Sequence, residues 1–249
     1  MKIQYACVCS SGLVRKSNQD NLVWERQCLP LDNNGLPAPV IGETDLNGSM
    51  LFGVFDGIGG EPRGDMAAYL SAKTAAECGP IGTREELAHL CHRANRAVCE
   101  FARRNKLSAC GTTAAMLLLN HQRIIGCNVG DSRICLFRGG TLTRLSEDHV
   151  LPVYTRIKPP LLQYLGIPET EMIIEPYLFE EELRPDDLYV ICSDGLTDML
   201  GEEQIRHILL ETPSIAQQAE ALLAGALAAG GRDNITFILI RIPGSESRQ

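Results

Sequence analysis

Short apolar runs and longer stretches of helical periodicity alternate along the chain. The short runs carry many β-branched and large apolar residues and are bounded by turn-forming residues, a pattern that predicts strands. Between two of these runs, Gly139 and Gly140 are typical of a hairpin turn. The predicted strands are 5–9, 21–26, 50–55, 113–119, 123–129, 133–137, 141–145, 188–192 and 235–242.

Helical spacing is clearest at 84–105. There Leu87, Leu90, Ala94 and Val98 recur at steps of three or four residues, with charged residues between them. This spacing predicts an amphipathic helix with one buried face. Shorter stretches with similar spacing predict further helices at 65–78, 202–211 and 214–229.

Two stretches show neither the apolar runs typical of strands nor the spacing typical of helices. Residues 29–47 are rich in Pro, Gly, Asn and Asp, which predicts a loop. Residues 146–175 contain four prolines and little periodicity, which predicts a short irregular flap. The many short strands indicate antiparallel sheets with helices on their outer faces, and hence an α+β fold. We expect a single domain over 1–249.

The charge and composition of the chain argue against nucleic-acid-binding, secreted and membrane proteins. The chain has 31 acidic and 23 basic residues, a net charge of -8 and no block of Lys and Arg, which argues against a nucleic-acid partner. The first six residues lack an apolar signal core, and no apolar run is long enough to cross a bilayer. The ten cysteines stand singly in apolar stretches, which favours reduced, buried thiols. We therefore expect a cytoplasmic protein without a membrane partner.

Four acidic residues share one kind of position, at the edge of an apolar strand and beside a glycine or an asparagine. They are Asp56, Asp131, Asp194 and Asp233. A single Asp-Gly pair is more often a turn than a ligand, but strand ends on one side of a layered fold converge. Converging carboxylates repel one another unless a cation compensates them, and hard oxygen ligands select Mg²⁺, Mn²⁺ or Ca²⁺.

An all-carboxylate site of this kind suggests the hydrolysis of a phosphate ester. Two hard cations can share one water, lower its pKa and hold it in line with a phosphoryl centre. A guanidinium is the natural partner of phosphate oxygens, because its planar donors match them two at a time. Arg15, in a polar turn between the first two predicted strands, is the candidate for this contact.

Six segments in this order resemble the metal-dependent serine/threonine phosphatases of the 2C type, the PPM family. The resemblance spans almost the whole chain and is closest to the bacterial branch. The segments are RKSNQD at 15–20, VFDGIGG at 54–60, GTTA at 111–114, NVGDSR at 128–133, CSDGL at 192–196 and GRDNIT at 231–236.

The resemblance implies a four-layer α-β-β-α sandwich, with two antiparallel sheets flanked by helices. It also implies a site for two Mg²⁺ or Mn²⁺ ions and a looser third, and attack on the substrate by a bridging hydroxide without a phosphoenzyme. Arg15, Asp20 and Asp56 would be catalytic, and Arg15 would bind the substrate phosphate. The implied metal ligands are Asp20 (through water), Asp56, the Gly57 carbonyl, Asp131, Asp194 and Asp233, with Asn234 in support.

The chain departs from the family pattern at three places. Ile58 stands where many eukaryotic members have a histidine proposed as the general acid, and Gln19 replaces an acidic residue usual in eukaryotes. The stretch 148–194 is short, which predicts a reduced flap beside the site. Both the apolar residue at 58 and the short flap bear on how a substrate is held and protonated.

The sequence leaves open more than one use for such a site. The leading hypothesis is a phosphatase that acts on phosphorylated proteins and opposes a serine/threonine kinase. One alternative is a catalytically silent domain of the same fold that binds phosphorylated proteins. Another is a purely structural cation such as Ca²⁺ held by the same acids.

Overall fold

The computed structural model describes residues 1–59, 62–152 and 159–244. Its regular elements in chain order are β1 (Lys2–Ser10), β2 (Asp20–Trp24), β3 (Gln27–Cys28), β4 (Val40–Asp45), β5 (Met50–Asp56), α1 (Gly64–Ala76), α2 (Arg84–Arg104), β6 (Ala114–Leu119), β7 (Arg123–Val129), β8 (Arg133–Arg138), β9 (Thr141–Arg144), β10 (Tyr177–Glu182), β11 (Leu188–Cys192), α3 (Asp194–Thr197), α4 (Glu202–Glu211), α5 (Ile215–Ala228) and β12 (Ile235–Arg241).

The strands form two six-stranded sheets in which every neighbouring pair is antiparallel. The first sheet has the order β4-β1-β12-β11-β8-β9, and the second has the order β10-β7-β6-β5-β2-β3. The chain crosses between the sheets several times, so the ends of strands from both sheets meet at one edge of the molecule.

Each sheet is buried on both faces, which explains why its strands read as continuous apolar runs. In β1, Tyr5 and Cys7 pack into the core between the sheets, whereas Ala6 and Val8 pack against α4 and α5. On the second sheet, Met116 and its neighbours pack against α1 and α2. The result is the four-layer α-β-β-α sandwich, and the predicted fold class is confirmed.

The predicted helices are present with ends that differ by a few residues. α2 begins at Arg84 with a capping box, in which the Thr83 hydroxyl accepts from the Glu86 amide and the Glu86 carboxylate accepts from the Thr83 amide. The Gly139-Gly140 hairpin joins β8 and β9 as predicted. No helix in the described part of the chain is long and apolar enough to cross a bilayer.

The structure differs from the prediction in four places. The predicted loop 29–47 contains β4, which pairs with β1 at the edge of the first sheet. An unpredicted strand, β10, pairs with β7 at the edge of the second sheet. The short strand β3 was not predicted and pairs with β2 at the other edge of the second sheet. The short helix α3 follows β11 directly and was also missed.

The predicted irregular flap is described at 146–152 and 159–175, and residues 153–158 lie outside the described residues. The described parts hold only isolated bridges, at Val150–Leu161 and Thr112–Leu165, and no helix or strand. The expectation of one domain over 1–249 stays a prediction.

Candidate metal centre

The acidic residues singled out from the sequence lie at the ends of strands or helices that meet at one edge of the sandwich. Asp20 opens β2 and Asp56 closes β5, and the two residues are direct partners in the antiparallel register. Asp131 follows β7, Asp194 opens α3 directly after β11, and Asp233 precedes β12. Both sheets therefore contribute acids to the same edge.

A cleft of about 300 Å³ opens at this edge. Asp56, Asp131, Asp194 and Asp233 line it together with Arg15 and Gly57, while the buried Asp20 does not. Pro159, Pro160 and Leu161 form its opposite wall.

The donor set of the cleft fits a hard divalent cation, because the candidate ligands are carboxylates and the described lining residues include neither histidine nor cysteine. Among the residues that the structure describes, no three His, Cys, Asp or Glu side chains are yet close enough together to hold a metal ion. Carboxylates without a cation between them repel one another, so a bound ion would have to draw these side chains inward.

Asp56 is fixed through its backbone by the start of β6. Its amide donates to the Thr113 hydroxyl at 3.1 Å, and its carbonyl accepts from the Thr113 amide and the Thr112 hydroxyl, each at 2.8 Å. The Thr113 hydroxyl is in turn 2.6 Å from that of Ser132, next to Asp131. These buried bonds hold the Asp56 backbone at the cleft and tie it to the Asp131 turn.

Close backbone packing explains the glycines beside two of these acids. A Cβ on Gly57 would lie 2.5 Å from the Gly64 carbonyl and 2.6 Å from the Gln19 carbonyl oxygen. A Cβ on Gly195 would lie 1.9 Å from the Asn234 carbonyl oxygen. Only glycine lets the segments carrying the acids approach one another this closely.

Asp20 lies behind the cleft and is only 2% exposed. The Ser193 hydroxyl donates to its Oδ2 at 3.1 Å and accepts from the Thr236 amide at 3.1 Å. Burial raises the pKa of Asp20 from 3.8 to about 6, and the negative charge of Asp233 acts in the same direction. Such a carboxylate gains much from a nearby cation.

Arg15 forms an ion pair with Asp233, with 2.6 Å between Nη2 and Oδ2. This hydrogen bond raises the pKa of Arg15 above its usual value. The cation predicted to bind phosphate thus neutralises one predicted metal ligand. About two fifths of the Arg15 side chain remains exposed to solvent, at 43%.

Asn234 joins the loop that carries Arg15 to the strand that follows Asp233. Its Oδ1 accepts from the Gln19 amide at 2.8 Å, and its Nδ2 donates to the carbonyls of Ser11 and Ser17, each at 3.1 Å. The Asn234 amide also donates to Asp233 Oδ1 at 2.8 Å. These contacts tie the Arg15 loop to the residue next to Asp233, and the supporting role of Asn234 stays a prediction.

Two polar residues of the cleft lining, Thr113 and Asp198, were given no role from the sequence, although Thr113 lies in the GTTA segment. Asp198 lies four residues after Asp194, where α3 ends, and its own amide donates to the Asp194 carbonyl at 2.7 Å. The signal that could have found it is this four-residue spacing, which places both side chains on one side of a helical turn. Ile58 also lines the cleft, and its apolar side chain cannot donate a proton there.

Comparisons with known proteins agree with this geometry. The family model for protein phosphatase 2C matches residues 31–151. The serine/threonine protein phosphatase PstP of Mycobacterium tuberculosis is 30% identical over 95% of this chain, which spans 44% of the length of PstP. Protein phosphatase PhpP of Streptococcus pneumoniae is 30% identical over 74% of this chain and 82% of PhpP.

Solved structures show the same architecture. The crystal structure of the Mycobacterium tuberculosis phosphatase PstP superimposes with a TM-score of 0.79 at 26% identity, over 98% of this chain and 100% of that one. The catalytic domain of PstP in complex with two manganese ions gives a TM-score of 0.77 at 27% identity over the same shares. Together with the match to PhpP along most of both lengths, these likenesses show that the chain belongs to the protein phosphatase 2C family.

Proposed function

We propose that the protein is a metal-dependent phosphatase that removes phosphate from phosphoserine and phosphothreonine in proteins. The observation that carries the proposal is that Asp56, Asp131, Asp194 and Asp233 line the same cleft as Arg15. The names of the relatives PstP and PhpP support the same reaction class. We further propose that residues 1–249 form one phosphatase domain with a short flap near 146–175.

The carboxylates would hold the metal ions. Asp56 and the Gly57 carbonyl, with Asp194 and Asp233, are the proposed ligands of two Mn²⁺ or Mg²⁺ ions. Asp131 is the proposed ligand of a weaker third ion, and Asp20 is proposed to act through water. When bound, such ions lower the pKa of water and neutralise the repelling carboxylates.

The remaining chemistry falls to the chain's own side chains. Arg15 would exchange its ion pair with Asp233 for the phosphate oxygens of the substrate, which its planar donors match two at a time. Asn234 would hold the loop of Arg15 in place during this exchange. The wall at Pro159–Leu161 would contact the substrate where it enters the cleft.

The experiment is the release of phosphate from a phosphothreonine peptide by the purified chain in EDTA, followed by addition of Mn²⁺ or Mg²⁺. We expect no turnover in EDTA and restored turnover with either ion. Tight binding of the peptide by the metal-loaded protein without turnover would instead establish a silent phosphoprotein-binding domain. A melting temperature that rises with Ca²⁺, without turnover in any ion, would indicate a structural cation.

The partners follow from the reaction. We propose phosphorylated proteins as substrates and a serine/threonine kinase as the opposing enzyme, so that the pair forms a reversible signalling switch. We also propose a cytoplasmic location, since such substrates are made where ATP is available. The net charge of -8 gives no support for a nucleic-acid partner.

A further inference from the structure

The segment 159–167 runs from the cleft to helix α2, and we refer to it as the cleft wall. At one end Pro159, Pro160 and Leu161 line the cleft. That end is attached to the 149–151 segment, since the Leu151 amide donates to the Pro160 carbonyl at 2.9 Å. The other end of the wall lies against α2 and the start of β6.

Asn95 of α2 holds that other end. Its Oδ1 accepts from the Gly166 amide at 2.7 Å, and its Nδ2 donates to the Ile167 carbonyl at 3.0 Å. The side chain is 1% exposed, so water cannot replace these bonds without opening the packing between helix and wall. A polar residue on the buried face of α2 is therefore used to hold the backbone of the wall.

The wall is bonded in turn to the segment that fixes Asp56. The Leu165 amide donates to the Thr112 carbonyl at 2.8 Å, and the Thr112 amide donates to the Leu165 carbonyl at 3.0 Å. The Thr112 hydroxyl donates to the Asp56 carbonyl at 2.8 Å. A continuous series of hydrogen bonds thus leads from Asn95 to the backbone of a proposed metal ligand.

The contacts beside this series leave the wall little freedom to shift. Gly166 has a φ of +124°, and a Cβ there would lie 2.0 Å from the Cys110 carbonyl oxygen. The Tyr164 ring packs so closely on Gly111 that a Cβ on that glycine would lie 2.4 Å from it. Because the fit is tight, a change in the bonds at Asn95 should displace the wall as a unit.

We infer that Asn95 is a positioning residue for the phosphatase reaction. It fixes the position of the cleft wall and thereby sets the affinity for phosphorylated protein. The inference rests on the proposed function, because the wall is taken to contact the substrate. Asn95 itself does not line the cleft and touches no reacting group.

The chain offers a matched control in α5, on the opposite side of the sandwich. Gln218 is also 1% exposed, and its Nε2 donates to the backbone carbonyls of Leu209 at 2.7 Å and Thr212 at 3.0 Å. Asn95→Asp and Gln218→Glu each replace a buried amide donor to backbone carbonyls by a carboxylate and keep the acceptor oxygen, which in Gln218 accepts from Arg241 Nη2 at 2.8 Å. Asn95→Leu and Gln218→Leu form a second pair that introduces no charge.

The experiment measures kcat, KM and melting temperature with Mn²⁺, using a phosphothreonine peptide and p-nitrophenyl phosphate. We expect both Asn95 variants and Gln218→Leu to melt at lower temperature, and Gln218→Glu to lose less because its carboxylate would pair with Arg241. Only the Asn95 variants should raise KM for the peptide, by about tenfold, with kcat changed much less. They should raise KM for p-nitrophenyl phosphate less, because that small substrate reaches less of the wall. The Gln218 variants should keep both KM values within about twofold of the original.

Amide hydrogen exchange in EDTA tests the positioning without any activity. In Asn95→Leu, the amides of Thr112, Leu165 and Gly166 should exchange faster by more than the loss of global stability explains. In Gln218→Leu they should change only with global stability. Equal KM values and equal local exchange in the two variants would overturn the inference. An unmodified protein that is inactive with Mn²⁺ would refute the proposed function, while the exchange result would still decide whether Asn95 positions the wall.

Discussion

The core between the two sheets and the cleft at their edge are built from the same strands, but the core buries apolar side chains and the cleft gathers charged ones. In the core, Phe52 packs 5.5 Å from Tyr5 between ring centroids, and the Tyr189 hydroxyl finds a partner in Asp187. In the cleft, five carboxylates and Arg15 are the charged side chains among the lining residues that the structure describes. The core is thus mostly apolar, whereas the cleft gathers carboxylates whose mutual repulsion a bound cation would relieve.

The difference shows how one fold can hold a site that is unfavourable on its own. Apolar burial over both faces of each sheet supplies the stability, and the strand ends hold the repelling acids. Substitutions in the core should therefore change stability and leave the chemistry of the folded protein intact. Substitutions in the cleft should do the reverse.

The largest expected effect is on turnover, from neutralising a proposed metal ligand. Asp194→Asn or Asp233→Asn should lower kcat/KM for a phosphothreonine peptide by several orders of magnitude, because the ions would lose a charged ligand. The metal-free melting temperature of Asp194→Asn should stay the same or rise, since one repelling charge is gone, whereas in Asp233→Asn the loss of the ion pair with Arg15 offsets this gain. Steady-state kinetics with Mn²⁺ and melting in EDTA measure the two effects. Near-normal turnover in either variant would show that the acid is not a ligand.

The second effect is confined to the core. Phe52→Ala removes a fully buried ring between the sheets, and we expect it to lower the free energy of unfolding by about 3–5 kcal/mol. Urea denaturation measures this loss. At a temperature where the variant is folded, kcat per folded molecule should be unchanged within about twofold. A large fall in kcat under conditions where all of the protein is folded would mean that the core substitution also changes the cleft.

The contrast also explains what could be predicted from the sequence. The central strands were found because both of their faces are buried, which leaves a continuous apolar run. β4 was missed because it is an edge strand whose residues alternate between exposed and half-buried, in a stretch rich in turn formers. β10 was missed because Glu180, Glu181 and Glu182 fill its second half. Edge strands depend on their neighbour more than on their own composition.

The acids were found for a related reason. Those beside a glycine mark places where backbones approach closely, and Gly57 and Gly195 do so here. Asp198 has no such neighbour and was missed. The Arg15–Asp233 ion pair and the bonds of Asn95 to the wall could not be predicted, because each joins segments far apart in the chain.

The third effect concerns Arg15, which lines the cleft and pairs with Asp233. Arg15→Ala should lower kcat/KM for the phosphothreonine peptide by about a hundredfold, mostly through KM, because the proposed phosphate contact is lost. The same variant should bind Mn²⁺ more tightly, since Asp233 loses its partner and the cleft becomes more negative. Isothermal titration calorimetry with Mn²⁺ measures the second change. Weaker binding of Mn²⁺ would contradict the assignment of Asp233 as a ligand.

The smallest effect is the pH dependence of stability that arises from Asp20. In the metal-free protein its pKa of about 6 lies above its ordinary value of 3.8, so between these values the folded state holds a proton that the unfolded state has released. The contribution of Asp20 to the free energy of unfolding is therefore most favourable below about pH 4 and falls as pH rises towards 6. Asp20→Asn cannot ionise, and its amide oxygen can still accept from Ser193.

Asp20→Asn should accordingly be more stable than the unmodified protein in EDTA, by an amount on the order of 1–3 kcal/mol above pH 6. The advantage should shrink as pH falls from 6 to 4, because the carboxyl of the unmodified protein then becomes neutral as well. Urea denaturation of both proteins across this range measures the difference directly. A difference that does not change with pH would show that Asp20 is ionised in the fold as easily as in water, and that its burial behind the cleft carries no electrostatic cost for a metal ion to relieve.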